Sequence, residues 1–140
     1  MILINKKAKF NYFFEDTFIA GISLLGSEVK SIRKNNVSFN DAFCYFPNDN
    51  TIFVKNLHIA EYKEATLQNH DPLRERQLLL NKKELKKIKK GIERQGYTLI
   101  PIELFINKAG FIKLKIALAK GKKQYDKRET IKERDLERYE

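Results

Sequence analysis

Two histidines, His58 and His70, one cysteine, Cys44, and a scatter of carboxylates are what 140 residues offer to acid–base, nucleophilic or metal chemistry. A zinc site needs Cys or His ligands at short, paired spacings, and no such cluster occurs. His58 closes the run Asn56-Leu57-His58-Ile59 and reads as a structural histidine at a strand end. His70 stands in a polar segment before Asp71 and is expected to be exposed or hydrogen-bonded to that aspartate. Most carboxylates neighbour lysines, so no pair stands apart as an acid/base couple. Gly121-Lys122-Lys123 lacks the rest of a phosphate-binding loop and does not lie between a strand and a helix. The chain is therefore expected to be no enzyme, with no catalytic residue, no metal and no cofactor.

Binding chemistry is better supplied. Lysine and arginine number 28 against 18 acidic residues, a formal charge of +10. Such a balance asks for a polyanion, either nucleic acid or an anionic membrane surface. Its distribution separates the two. Net charge runs +3 over residues 1–34, −2 over 35–81, +5 over 82–94, +2 over 95–119 and +2 over 120–140. Spread over several elements, it suits a surface that cradles a phosphate backbone. A membrane-surface helix gathers charge beside one broad apolar face, and none here has that pattern. The plain alternative is a basic surface with no specific partner.

Lys82, Lys83, Lys86, Lys87, Lys89 and Lys90 crowd one helical segment, where a solvated outer face is the simplest account of most of them. Lys113 and Lys115 are more informative. Ile112, Leu114, Ile116 and Leu118 alternate with them, so both lysines project from the strand face opposite the core. In a barrel of oligonucleotide-binding type, that face can meet the ligand. Tyr125 lies among basic residues as a candidate for stacking on an unpaired base; an exposed tyrosine in a flexible tail is an equal alternative.

The elements that position these groups can be followed along the chain. Residues 5–9 are a basic lead-in. Phe10 to Leu25 reads as strand, turn and strand, or as one long bent strand. Gly26-Ser27-Glu28 opens a short helix with Ser27 as its cap and Val29 and Ile32 as its apolar stripe, closed by Asn35-Asn36. Residues 42–46 and 51–57 make a hairpin around Pro47-Asn48-Asp49-Asn50. A long connection over 61–77 follows, with Arg76 to Leu80 returning to the sheet. Asn81 and Glu84 have capping-box spacing and open a Lys-rich helix, its core face Leu85, Ile88 and Ile92, that ends before Gly96. Tyr97 to Ile106 and Phe111 to Ala119 form the last hairpin.

Five to seven strands with two to three helices predict a mainly β protein, a small antiparallel OB-like barrel over residues 1–119. The segment 120–140 carries eight basic and six acidic residues without a core stripe, and is expected to be a basic tail that orders only on a partner. One cysteine rules out an internal disulfide and suits a reducing compartment. No apolar run reaches membrane-spanning length. A monomer in the cytoplasm, with no membrane partner, is the expectation.

Three runs, GSEVKSIRKN (26–35), RERQLLLNKKEL (74–85) and ALAKGKKQYDKRE (117–129), closely resemble the SmpB (small protein B) family, and Asn5-Lys6-Lys7-Ala8 and Gly96-Tyr97-Thr98-Leu99 match it as well. The likeness covers nearly the whole chain in the family's order. It implies an OB-like barrel that binds the tRNA-like domain of tmRNA in bacterial trans-translation. It also implies a tail that becomes helical in the ribosome, occupying the mRNA channel near the small-subunit decoding centre. Carried over by position, the tmRNA-binding surface takes in Asn5, Lys6, Lys7, Glu28, Lys30, Arg33, Leu79, Lys113 and Lys115. The tail motif takes in Lys120, Gly121, Lys122, Lys123, Tyr125, Asp126, Lys127 and Arg128, with Tyr125 where some members carry histidine.

This sequence departs from the pattern in places. Ile19 stands where the family usually has glutamate on the RNA-facing surface, and an apolar side chain cannot accept a hydrogen bond from RNA. Ala60-Glu61 replaces the usual Ser-Pro, which should matter locally. The tail is shorter than in many members and the basic N-terminal extension is nearly absent, so weaker ribosome engagement is expected.

Overall fold

The computed structural model describes residues 2–65, 68–123 and 127–128. Among these, seven strands and three helices alternate as β1 (Ile2–Ile4), α1 (Lys6–Asn11), β2 (Tyr12–Ile22), α2 (Gly26–Arg33), β3 (Val37–Asn48), β4 (Thr51–Ile59), β5 (Arg76–Leu79), α3 (Lys82–Ile92), β6 (Tyr97–Ile106) and β7 (Ile112–Gly121). The sheet runs β1-β6-β3-β4-β5-β2-β7, and β6 also pairs with β7. Six strands therefore close on themselves as an antiparallel barrel, with β1 laid against β6 outside the ring. Closure removes the exposed edges that an open sheet of this size would present.

Period-2 alternation sets the inside and the outside. Phe18, Ala20 and Ile22 of β2, Ile52 and Val54 of β4, and Leu114 and Ile116 of β7 are buried in one central cluster. Ile32 of α2 and Ile88 of α3 join it, so these helices close the interior. Cys44 is buried in the same cluster, and burial raises its thiol far above the ordinary value. A second, smaller cluster lies outside the ring, where Ala8 of α1 packs on Ile100 and Ala119 with Tyr12 and Phe14 beside them.

Most expected elements are present, and the differences have local causes. Residues 5–9 are no simple basic lead-in. Asn5 caps α1 by accepting from the Ala8 N–H at 3.1 Å, and its amide donates to the Pro101 carbonyl at 2.8 Å. Phe10 to Leu25 holds one long strand, bent by a bulge between Phe14 and Asp16. Ser27 does not cap α2. Leu25 stands at that position, and its N–H donates to Glu28 Oε1 at 2.7 Å. Asn35 takes a left-handed φ of 63° just after α2, as its place at the helix end suggested. The Asn81–Glu84 capping box forms in both directions, at 2.8 and 3.2 Å. β7 continues past Ala119, since Lys120 pairs with Phe13 and Gly121 with Tyr12.

Candidate nucleic-acid interface

Cross-strand register places the outward side chains in rows. Ile19 of β2 lies opposite Lys115 of β7, Lys115 opposite Glu103 of β6, and Glu103 opposite Ile4 of β1. One row along, Leu79 lies opposite Gly21, Gly21 opposite Lys113, and Lys113 opposite Phe105. Directly paired residues share a face of the sheet, so these side chains make one patch. Ile19 and Leu79 are each 55% exposed and Ile4 41%. Exposed aliphatic groups of that size, set among two lysines and one carboxylate, are a surface shaped for a partner rather than for water. Towards the other end of β7 the outer face is closed, because α1 covers Ala119 and Ile100. The patch is the part that α1 leaves open.

Lys113 and Lys115 thus share one outward face, as the alternation required, and Leu79 lies on it as well. Lys115 Nζ stands 4.0 Å from Glu103, both side chains being partly covered. A shallow depression of about 240 Å³ is lined by Ile19, Glu103, Phe105, Ile106 and Lys115. Gly21 also has a packing reason, since a Cβ there would lie 3.2 Å from the Leu79 Cβ.

Two of the expected contact residues are buried. Glu28 is wholly buried. Arg76 Nε donates to it at 2.5 Å and Arg74 Nη2 at 2.6 Å, and the Leu25 N–H completes its shell. Burial pushes the Glu28 carboxyl up, but hydrogen bonds from Arg74, Leu25 and Arg76, with the Arg76 charge, outweigh it and hold the group below its ordinary value. Asn5 is also buried, its side chain spent on the start of α1 and on Pro101. The family resemblance marks both residues but does not say which way they point. His70 departs from expectation as well: it is buried, with Nδ1 2.8 Å from the Ser27 hydroxyl and Nε2 2.8 Å from the Ile59 carbonyl, and it is not bonded to Asp71.

The remaining expected residues lie on the surface but in separate places. Lys6 and Lys7 stand on α1, and Lys7 bonds Asp41 at 2.6 Å. Lys30 and Arg33 are exposed on α2, Lys30 lying 5.4 Å from the Tyr62 ring centroid. On α3, Lys87 pairs with Asp16 and Lys89 with Asp49, each at 3.0 Å, while Arg94, just beyond it, pairs with Glu15. Part of the α3 charge is therefore neutralised against the barrel. Lys120 and Gly121 belong to β7, and the Lys122 N–H donates to the Asn11 carbonyl at 2.8 Å. Lys123 accepts from the Lys127 N–H at 3.2 Å, and Arg128 is exposed. Tyr125 and Asp126 lie outside the described residues, as does the expected tail segment 129–140. Among the described residues no group of His, Cys, Asp and Glu is placed to hold a metal ion, and no helix is long and apolar enough to cross a membrane.

A closed β-barrel with lysines set among apolar side chains on an open outer face is a nucleic-acid-binding architecture of the oligonucleotide-binding kind. Comparison with known proteins narrows the class. Residues 2–140 match the family described as SmpB protein. The SsrA-binding protein of Bacteroides thetaiotaomicron is 56% identical over 131 residues, 94% of this chain and 87% of its own. That of Thermosipho melanesiensis is 46% identical over 138 residues, 99% of this chain and 93% of its own. A solved chain described as "tmRNA-SmpB: a journey to the center of the bacterial ribosome" superposes with a TM-score of 0.73 at 39% identity, covering 88% of this chain and 85% of that one. The chain belongs to the SmpB family.

Proposed function

We propose that the protein is a non-catalytic RNA-binding adaptor that holds the tRNA-like domain of tmRNA and brings it to stalled ribosomes for trans-translation. The observation that carries this reading is the open outer face, where Lys113 and Lys115 stand among Ile19, Leu79 and Phe105. The ammonium groups meet phosphates, and the apolar groups take up sugar and base surface from a folded RNA. Family membership and relatives named SsrA-binding protein support the choice of RNA. Lys6 and Lys7 on α1 and Lys30 and Arg33 on α2 add further cations elsewhere on the surface. Asn5 and Glu28 serve it indirectly, by fixing the helices that display those cations. The segment beyond β7 acts separately in the decoding centre and mRNA channel, and the setting is the bacterial cytoplasm.

A second reading, a general single-strand-binding module, has one observation in its favour. Phe43, Tyr45 and Phe53 form a partly exposed row on β3 and β4, with centroids 6.3 and 6.5 Å apart. Base stacking on such a row would tolerate any sequence. The surrounding segment 35–81 carries net −2, however, which opposes a phosphate backbone.

A salt titration of binding to the tRNA-like domain, to ordinary tRNA and to single-stranded RNA separates the readings. It uses the full chain and a form ending at Lys123, which keeps all of β7 and the Lys122–Asn11 bond. Selective binding of the tRNA-like domain by both forms, with tagging on stalled ribosomes by the full chain alone, is expected. Equal binding to all three RNAs would overturn the adaptor reading.

A further inference from the structure

Glu103 is the one acidic residue between positions 95 and 119, and it stands on the face proposed to meet RNA. A carboxylate there repels phosphate, so the position makes sense only if something donates to it. Lys115, at 4.0 Å, is its sole partner among the described residues, a separation too long for a hydrogen bond. An ionised carboxylate has about four lone-pair sites, and these are left with little to accept from. Beside it, Ile19, Phe105 and Ile106 line the shallow depression with apolar surface. The depression therefore combines walls suited to a flat aromatic ring with an acceptor pair at one side and a cation that balances its charge.

We propose that this depression reads one unstacked guanine of the bound RNA, with Glu103 accepting from its Watson–Crick edge. The choice of base follows from the donors each one has. Guanine presents N1–H and N2–H side by side, matching the two oxygens of a carboxylate. Adenine and cytosine each place an acceptor nitrogen next to their amino group, which meets Glu103 repulsively. Uracil offers one N–H between two carbonyls. The apolar walls give affinity for any base, and Glu103 gives the preference, since unstacked bases are read along these edges. Lys115 is a positioning residue: 4.0 Å away across the register, it holds Glu103 near the strand while its own ammonium is left for a phosphate. Glu103 and Ile19 lie in the same row, two strands apart. This proposal rests on the adaptor reading for the source of the guanine but not for the chemistry of the depression.

The test follows the δ1-methyl resonances of Ile19 and Ile106 in the full-length protein titrated with GMP, IMP and UMP. GMP and IMP differ by the 2-amino group alone, and the phosphate is common to all three. GMP is expected to shift both methyls with a dissociation constant about fivefold below that of IMP, the lower end for a bidentate base contact. Glu103→Gln, checked for an unchanged amide spectrum, should bring GMP to the IMP value. Equal GMP and IMP constants in the unsubstituted protein, or no response at Ile19 and Ile106, would overturn the guanine site. Selective binding of the tRNA-like domain, measured separately, would still stand in that case. Loss of that selectivity with the GMP preference intact would overturn the adaptor reading instead.

Discussion

Arg76 of β5 and Glu28 of α2 meet at 2.5 Å with neither side chain exposed to solvent. The Arg76 guanidinium also donates to the Leu57 carbonyl at 2.5 Å and to the Asp71 and Pro72 carbonyls at 3.4 and 3.3 Å. One buried cation thus ties α2, β4, β5 and the connection before β5 together. Removing one partner of a buried pair costs about 3–5 kcal/mol, because the charge left behind is uncompensated. Arg76→Met should fall near the lower figure, as Arg74 still reaches Glu28. Urea denaturation should show this loss, and the double variant with Glu28→Met should recover part of it. A double variant as unstable as the sum of the singles would mean the pair is not coupled.

The same carboxylate sets an acid limit on the fold. Glu28 has a folded-state value below its ordinary 4.5. Above pH 4.5 both folded and unfolded chains hold it ionised, and its contribution is fully present. As the pH falls below 4.5 the unfolded chain takes up the proton first, so stability falls until the folded-state value is passed. Urea midpoints should therefore be flat from neutral pH to about 5 and drop below 4.5, with protons taken up on unfolding. A midpoint that rises on acidification would contradict the ionised, paired Glu28.

Much of this arrangement was legible from residue order alone. Alternation in Ile112 to Leu118 fixes Lys113 and Lys115 outward, and Asn81 with Glu84 fixes the start of α3. The hairpins carry their own turn residues. What stayed hidden depends on contacts far apart in the chain. Glu28 looks like a surface residue in the first turn of an exposed helix until Arg74 and Arg76, 46 and 48 positions away, are folded onto it. His70 looks like a loop residue until Ser27 and Ile59 enclose it. α1 is six residues with no apolar stripe, held by Asn5 and by Ala8 against β6 and β7, so periodicity has nothing to detect. The patch around Ile19 needed four registers at once.

Gly91, in the last turn of α3, tests the packing of that helix on the barrel. A Cβ built there would lie 2.2 Å from the Leu118 Cδ2, and Leu118 is itself buried. Alanine in a helix interior is favoured over glycine by about 1 kcal/mol. Overpacking a filled site costs about 1–3 kcal/mol. The clash should win, and Gly91→Ala should lower the melting temperature. Adding Leu118→Val should recover part of the loss by making room. A more stable single variant would show that α3 moves away from β7 at no cost.

Charge at the open face should be read out by salt. Lys113 lies opposite Gly21 and Phe105 and has no acidic partner among the described residues, so its ammonium is available to a phosphate. Lys87, by contrast, already pairs with Asp16 at 3.0 Å. Each phosphate neutralised by a lysine contributes close to one unit to the dependence of log affinity on log salt. Lys113→Ala should weaken binding of the tRNA-like domain and reduce that slope by about 1. Lys87→Ala removes a cation that is locally compensated, so its slope should stay near that of the unsubstituted protein. The comparison is informative because both substitutions lower net charge by the same amount. If the two slopes fell equally, binding would follow overall charge, and the outer face of β2, β7 and β6 would lose its claim to be where the RNA sits.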